Sequence, residues 1–134
     1  MLYAISGGCV EQHEEGPGTV VHPRSSVESA LDHGLAFTFT EGHADMKYSR
    51  FFEDIADLDK VDWPLMEQQW WKDTVEDPDR KRRRQAEFLV HDFFPWKLVS
   101  EIGVIDSRIA KQVGVILQDA AHKPVVKVKR SWYY

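Results

Sequence analysis

Glu87 is the residue with the clearest chemical potential. It stands in Ala86-Glu87-Phe88-Leu89-Val90, a carboxylate inside an otherwise apolar run. Burying an unpaired carboxylate is costly, so such a residue faces solvent, holds a partner or serves a reaction. Alternation along an extended segment puts Glu87 and Leu89 on one face and Phe88 and Val90 on the other. Several roles fit the pattern. The carboxylate can stabilise positive charge that develops in a transition state. It can hold a catalytic metal, as in DNA-cleaving folds, although those usually want a lysine two residues on, where this chain has Leu89. It can also be an edge-strand residue paired with the arginines just before it.

Those arginines form the second feature. Arg80, Lys81, Arg82, Arg83 and Arg84 are consecutive cations, suited to gripping nucleic-acid phosphates. They equally suit a solvated segment that neutralises its neighbours, because residues 41–79 hold twelve acidic and four basic residues. A second basic cluster, Lys127, Lys129 and Arg130, lies near the C-terminus. The net charge of −5 argues against a general nucleic-acid binder, yet local basic patches can still hold a phosphate backbone. Trp63, Trp70 and Trp71 can stack on bases or fill a core. The six histidines and Cys9 show no metal-ligand spacing, so no metal site is expected. Gly7-Gly8 lacks the continuation of a phosphate-binding loop.

Bulk properties bound these options. The chain has 134 residues, 43% hydrophobic and 29% charged, enough apolar material for one domain and its core. One cysteine excludes an internal disulfide framework. No apolar run approaches the roughly 20 residues that span a membrane. Residues 1–8 lack the basic and long apolar regions of a signal peptide. A cytoplasmic location without membrane association is the simplest expectation.

Periodicity supplies the elements that must position Glu87. Strands are expected over residues 2–5, 19–22, 35–40, 86–90, 101–105 and 125–128. A short helix is expected over 25–31, with Ser25 and Glu28 at capping-box spacing and Gly34 as the left-handed stop after His33. Shorter helices are expected over 44–54 and 64–72, with Pro64 in a first turn. A longer helix follows Asp106 or Ser107 to about residue 118, with Ile109, Val113, Ile116 and Leu117 on one face. The order of strands and helices reads as an α+β domain. The long acidic connection over 41–79 is more in keeping with a functional loop than an idle one.

The chain also resembles a known family over essentially its whole length. The matching segments, in order, are Met1-Leu2-Tyr3-Ala4-Ile5, Phe39-Thr40-Glu41-Gly42-His43-Ala44, Asp62-Trp63, Arg84-Gln85-Ala86-Glu87-Phe88-Leu89-Val90-His91, Phe94-Pro95-Trp96, Ile102-Gly103-Val104 and Trp132-Tyr133-Tyr134. Each is short; together they resemble DarT-type DNA ADP-ribosyltransferases, the toxins of DarT/DarG toxin–antitoxin systems. The resemblance implies an ADP-ribosyltransferase core of short strands with flanking helices. It implies NAD as co-substrate, no metal, and transfer of ADP-ribose to a base, typically thymidine, in single-stranded DNA. It matches the family's catalytic glutamate to Glu87 and the family's substrate-recognition loop to residues 32–86. Within that region Arg80, Arg82, Arg83, Arg84, Trp70 and His43 are the expected DNA contacts. A cognate antitoxin is the expected protein partner.

One departure follows from the same resemblance. The family carries a section ahead of the Leu2-Tyr3 strand that supplies most of the NAD pocket and an arginine acting on the base. That section is expected upstream of Met1, so residues 1–134 read as the C-terminal portion of the domain. On this expectation the chain by itself binds NAD weakly, and its cofactor-binding residues stay unassigned. The alternative reading is an inactive fragment that binds single-stranded DNA or an antitoxin partner.

Overall fold

The computed structural model describes residues 17–70 and 72–133. The strand expected over 2–5, Cys9, and Trp71 lie outside the described residues. Among those described, the strands in chain order are β1 (His22–Arg24), β2 (Phe37–Thr40), β3 (Phe51–Phe52), β4 (Phe88–Val90), β5 (Glu101–Val104) and β6 (Val125–Val128). The α-helices are α1 (Val27–Asp32), α2 (Trp63–Met66), α3 (Arg80–Arg83) and α4 (Ser107–Ile116). The chain divides into two units. Unit 1 comprises residues 1–33 and 95–134, and unit 2 is Gly34–Phe94.

Unit 1 is built on a three-stranded sheet in the order β1-β5-β6. β5 and β6 run parallel, with α4 as the crossover that a parallel pair requires. Asp106 caps α4 by accepting a hydrogen bond from the Ile109 amide at 2.9 Å. Ile109 and Val113 point from α4 onto Val99, Ile102 and Val104, and these five residues form the core. Ile116, expected on the same face, is 78% exposed, while Leu117 after it packs against the core. The expected strand over 19–22 is instead a 3-10 turn (Pro17–Thr19), with the strand displaced to His22–Arg24, where it pairs antiparallel with β5. Ser26, not Ser25, caps α1, accepting from the Ser29 amide. Ser25 is diverted by a longer-range bond, its hydroxyl donating to the Leu98 carbonyl at 2.6 Å. Gly34 follows α1 in the left-handed region at φ 62°, as its residue type predicts.

Unit 2 carries a second sheet, antiparallel, in the order β3-β2-β4. Phe39 is buried at its centre. Phe37 stacks on Phe88 at 5.0 Å between centroids, and Phe39 on Phe52 at 5.3 Å. The helix expected over 44–54 does not form. Turns run from His43 to Ser49, closed by bonds from the Met46 amide to the His43 carbonyl and the Ser49 amide to the Met46 carbonyl. They lead into β3 and then a 3-10 segment, Ile55–Lys60. The helix expected over 64–72 is a single turn, α2, capped by Asp62 with Pro64 in its first turn. Trp63 and Trp70 do not fill a core: they are 51% and 63% exposed. Among the described residues no helix is long and apolar enough to cross a membrane.

Candidate active site

Glu87 lies one residue ahead of β4, not within an apolar strand, and its side chain is 38% exposed. Its backbone is fixed by Thr40 at the end of β2. The Thr40 amide donates to the Glu87 carbonyl at 2.9 Å. The Glu87 amide donates to Thr40 Oγ1 at 3.1 Å, and that hydroxyl donates in turn to the Gly42 carbonyl at 2.5 Å. Thr40 has no exposed surface. A buried hydroxyl thus uses its donor on one side of the turn and an acceptor lone pair on the other, leaving the carboxylate directed into a partly open setting.

His43 is beside it. Its Nδ1 is 3.7 Å from Glu87 Oε1 and accepts a hydrogen bond from the Asp45 amide at 3.2 Å. With Nδ1 accepting, the neutral ring carries its proton on Nε2. The loop bearing His43 is tied down twice more. The His43 amide donates to the Arg82 carbonyl at 3.0 Å, and Ser49 Oγ donates to the His43 carbonyl at 2.7 Å.

Arg82 is the centre of this support. Its guanidinium donates to both Asp79 carboxylate oxygens at 2.8 and 2.7 Å, reaches Ser49 Oγ at 3.3 Å, and faces Glu41 at 3.6 Å. It lies 5.2 Å from the Tyr48 ring centroid. The hydrogen bond from Arg82 holds the Asp79 carboxyl below the usual carboxylate range, against the opposing effect of burial. Glu41 is held low likewise, chiefly by its hydrogen bond from Arg50. Gly42 passes so close to Arg82 that an added Cβ would run into the guanidinium.

The arginine run is therefore divided. Arg82 and Arg83 are taken up internally, Arg83 by Asp62 and Asp77. Arg80 donates to Gln68 Oε1 at 2.5 Å and the Trp70 carbonyl at 2.7 Å. Arg84 has no carboxylate partner among the described residues; its Nη1 is 3.7 Å from Met66 Sδ, and its Nε is buried without a partner. The exposed Trp70 ring has Lys72 over it at 5.4 Å. Unit 2 thus brings together Glu87, His43 and the support on Arg82, while Trp70 and Arg80 adjoin each other through the Trp70 carbonyl. No group of three or more metal-ligating side chains occurs among the described residues. Thr40, Ser49, Tyr48 and Arg50 carry no motif signal of their own. Only the segment Phe39-Thr40-Glu41-Gly42-His43-Ala44, through its resemblance, pointed toward the place where Thr40 works.

Chemically, the arrangement offers an exposed carboxylate with a fixed backbone, an imidazole beside it, and an aromatic and a cationic side chain elsewhere in the same unit. Comparison with known proteins gives it a context. A family profile described as "ssDNA thymidine ADP-ribosyltransferase, DarT" matches residues 1–134. A Thermus aquaticus protein named DNA ADP-ribosyl transferase is 41% identical over 137 residues, covering 100% of this chain and 58% of that protein. The structure of Thermus sp. 2.9 DarT in complex with NAD+ superposes with a TM-score of 0.92 at 35% identity, over 99% of this chain and 66% of that one. The same protein in complex with ADP-ribosylated ssDNA also gives a TM-score of 0.92 at 35% identity, over 99% and 63%. The chain spans 58% to 63% of the length of these Thermus curated relatives. With a family match that runs from end to end, the chain belongs to the DarT family of single-stranded-DNA thymidine ADP-ribosyltransferases.

Proposed function

We propose that this chain carries the glutamate-bearing part of an enzyme that transfers ADP-ribose from NAD to thymidine in single-stranded DNA, with Glu87 as the catalytic residue. The observation that carries the reading is the Glu87 carboxylate, half-open to solvent and braced from behind by the buried Thr40 hydroxyl. NAD supplies the ADP-ribosyl group, which becomes electron-poor at its anomeric carbon as nicotinamide leaves. A fixed carboxylate in that position accepts a hydrogen bond from the ribose and stabilises the developing positive charge. It is also placed to take up the proton that the base gives up. His43 lies beside the carboxylate, its Nδ1 3.7 Å from Glu87 Oε1 and already accepting from the Asp45 amide, so it bounds the site without a hydrogen bond to Glu87.

Residues 32–86 act as the substrate-recognition region in this reading. Trp70 provides a stacking surface for a base. Arg80 and Arg84 are the members of the arginine run with fewest carboxylate partners, so they contact DNA, whereas Arg82 and Arg83 shape the loop from within. The setting fits the sugar side of NAD, for which a carboxylate and an imidazole are present, better than the pyrophosphate side, since Arg82 and Arg83 already hold carboxylates. The biological setting we propose is that of a cytoplasmic toxin held in check by an antitoxin partner. The test is transfer of labelled ADP-ribose from NAD to single-stranded oligonucleotides. Substituting Glu87→Gln, which keeps the side-chain shape, removes the negative charge and is expected to lower the rate by at least about 100-fold. Undiminished transfer would reject Glu87 as the catalytic residue.

A further inference from the structure

One face of the unit 1 sheet packs on α4 through Ile102, Val104 and Val126. The opposite face carries a different set. Glu101 and Gly103 alternate with those core residues along β5. Arg24 stands opposite Glu101 on β1, and Lys127 opposite Gly103 on β6. Glu101 is 5% exposed, and three cations converge on it. Lys127 Nζ is 2.5 Å from Oε2; Arg24 Nη1 and Lys129 Nζ are 3.5 and 4.0 Å from Oε1. The Lys127 ammonium, with the other two cations, holds the Glu101 carboxyl below its usual range. Next to this cluster the Trp132 ring occupies the space left by the absent side chain of Gly103, with Lys129 5.5 Å from its centroid.

Three cations on one carboxylate leave an excess of positive charge. Oε1 makes no hydrogen bond among the described residues, and Arg24 and Lys129 approach it only as ion pairs too long or misaligned for one. Their donors are therefore available, and Arg24 and Lys127 are 60% and 53% exposed. The wider charge balance is neutral for unit 1 and acidic for unit 2. Residues 34–94 hold fourteen acidic and nine basic residues, whereas residues 17–33 and 95–133 hold five acidic and eight basic (residues 1–16 add three glutamates). Unit 2 has the larger acidic excess, and two arginines of its run, Arg82 and Arg83, are already paired with carboxylates.

We propose that this face of unit 1 binds the phosphodiester backbone of single-stranded DNA through Arg24, Lys127 and Lys129, with the buried Glu101 setting their spacing. The proposal rests on the reading of the chain as a protein acting on single-stranded DNA and adds to it a second contact surface, away from Glu87 in the sequence.

The test is fluorescence anisotropy of a labelled, mixed-sequence single-stranded oligonucleotide over a series of salt concentrations. The chain is compared with Arg24→Gln, Lys129→Gln and the double variant, after a circular-dichroism melt has verified the fold of each. A phosphate contact on a single strand contributes about 0.7 to the slope of log affinity against log salt, so at about 0.1 M salt each lost contact costs about fivefold and the pair about 25-fold. Lys111→Gln on α4 removes the same charge away from the face and should change affinity little. NAD binding is titrated in parallel, because its pyrophosphate offers the same chemistry. Loss of DNA affinity with a shallower salt slope in the double variant, but not in Lys111→Gln, supports the proposal. Three results overturn it: a double variant that binds DNA as Lys111→Gln does, a loss confined to NAD, or no salt-dependent DNA binding by the unsubstituted chain. The transfer assay on Glu87→Gln tests the underlying activity separately, so failure of the surface and failure of the activity are distinguishable.

Discussion

Replacing Thr40 by valine probes the support of Glu87 with almost no change of shape. The substitution exchanges a hydroxyl for a methyl group in a side chain with no exposed surface. Two hydrogen bonds disappear, one from the Glu87 amide at 3.1 Å and one to the Gly42 carbonyl at 2.5 Å. A backbone group left unsatisfied away from water costs about 1–3 kcal/mol. The added methyl regains about half a kcal/mol at most in a site already filled. For two such groups the net loss spans about 1.5–5.5 kcal/mol, and about 2–4 kcal/mol is expected because the Glu87 amide is only part-buried. At the usual unfolding entropy per residue, and for cooperative melting of the chain, that lowers the melting temperature by about 7–14 °C. Thr40→Ser keeps the hydroxyl and should recover most of the loss. The assay is urea denaturation of all three proteins followed by circular dichroism, with ADP-ribose transfer as a second readout. A valine variant within about 0.5 kcal/mol of the parent, or no better for Thr40→Ser than for valine, would refute the claim that this hydroxyl holds the Glu87 turn in place.

Other parts of the structure give equally direct expectations. Gly42→Ala should cost about 1–3 kcal/mol, because the new methyl drives Arg82 off its bidentate pairing with Asp79; a urea midpoint equal to the parent would contradict the close approach. Gly103→Ala should displace the Trp132 ring, seen as a red shift in tryptophan emission and faster proteolysis near the C-terminus, and an unchanged spectrum would count against that packing. Asp79, Glu41 and Glu101 all have folded carboxyl groups held below the usual range. Their contribution is present above the unfolded value near 4 and is lost as pH falls through the lower folded values, so stability should drop steeply below about pH 4. A urea midpoint that holds level from about pH 6 to pH 3 would contradict these pairings.

Local pattern and long-range pairing divide what the sequence reveals. The β5–α4–β6 unit is legible because its signals are local: Ile109 and Val113 at helical spacing, Asp106 as a cap, and apolar strands either side. Gly34 likewise announces its left-handed turn. The region over 41–79 is not, since its course is set by particular pairings. Ser49 holds the His43 carbonyl, Arg83 reaches back to Asp62, and β3 exists only because Phe51 and Phe52 pair with β2. The partners carry no periodic pattern that marks them, whether six residues apart, as Ser49 and His43 are, or 21, as Arg83 and Asp62 are. The same reason hides Glu101, whose lysines come from another strand, and Thr40, whose hydroxyl matters only once β2 and the residue before β4 are side by side. The arginine run shows the limit of reading charge alone. Its members are chemically alike, yet Arg82 and Arg83 are bound by carboxylates and Arg84 is not.

The most direct test of the central claim is the transfer of labelled ADP-ribose from NAD to thymidine-containing single-stranded DNA by the chain and by its Glu87→Gln variant, with matched melting curves for the two proteins. The expected result is labelling by the parent that falls at least about 100-fold in the variant while the melting curves coincide. Equal labelling by both proteins would contradict the assignment of Glu87 as the carboxylate that drives the reaction.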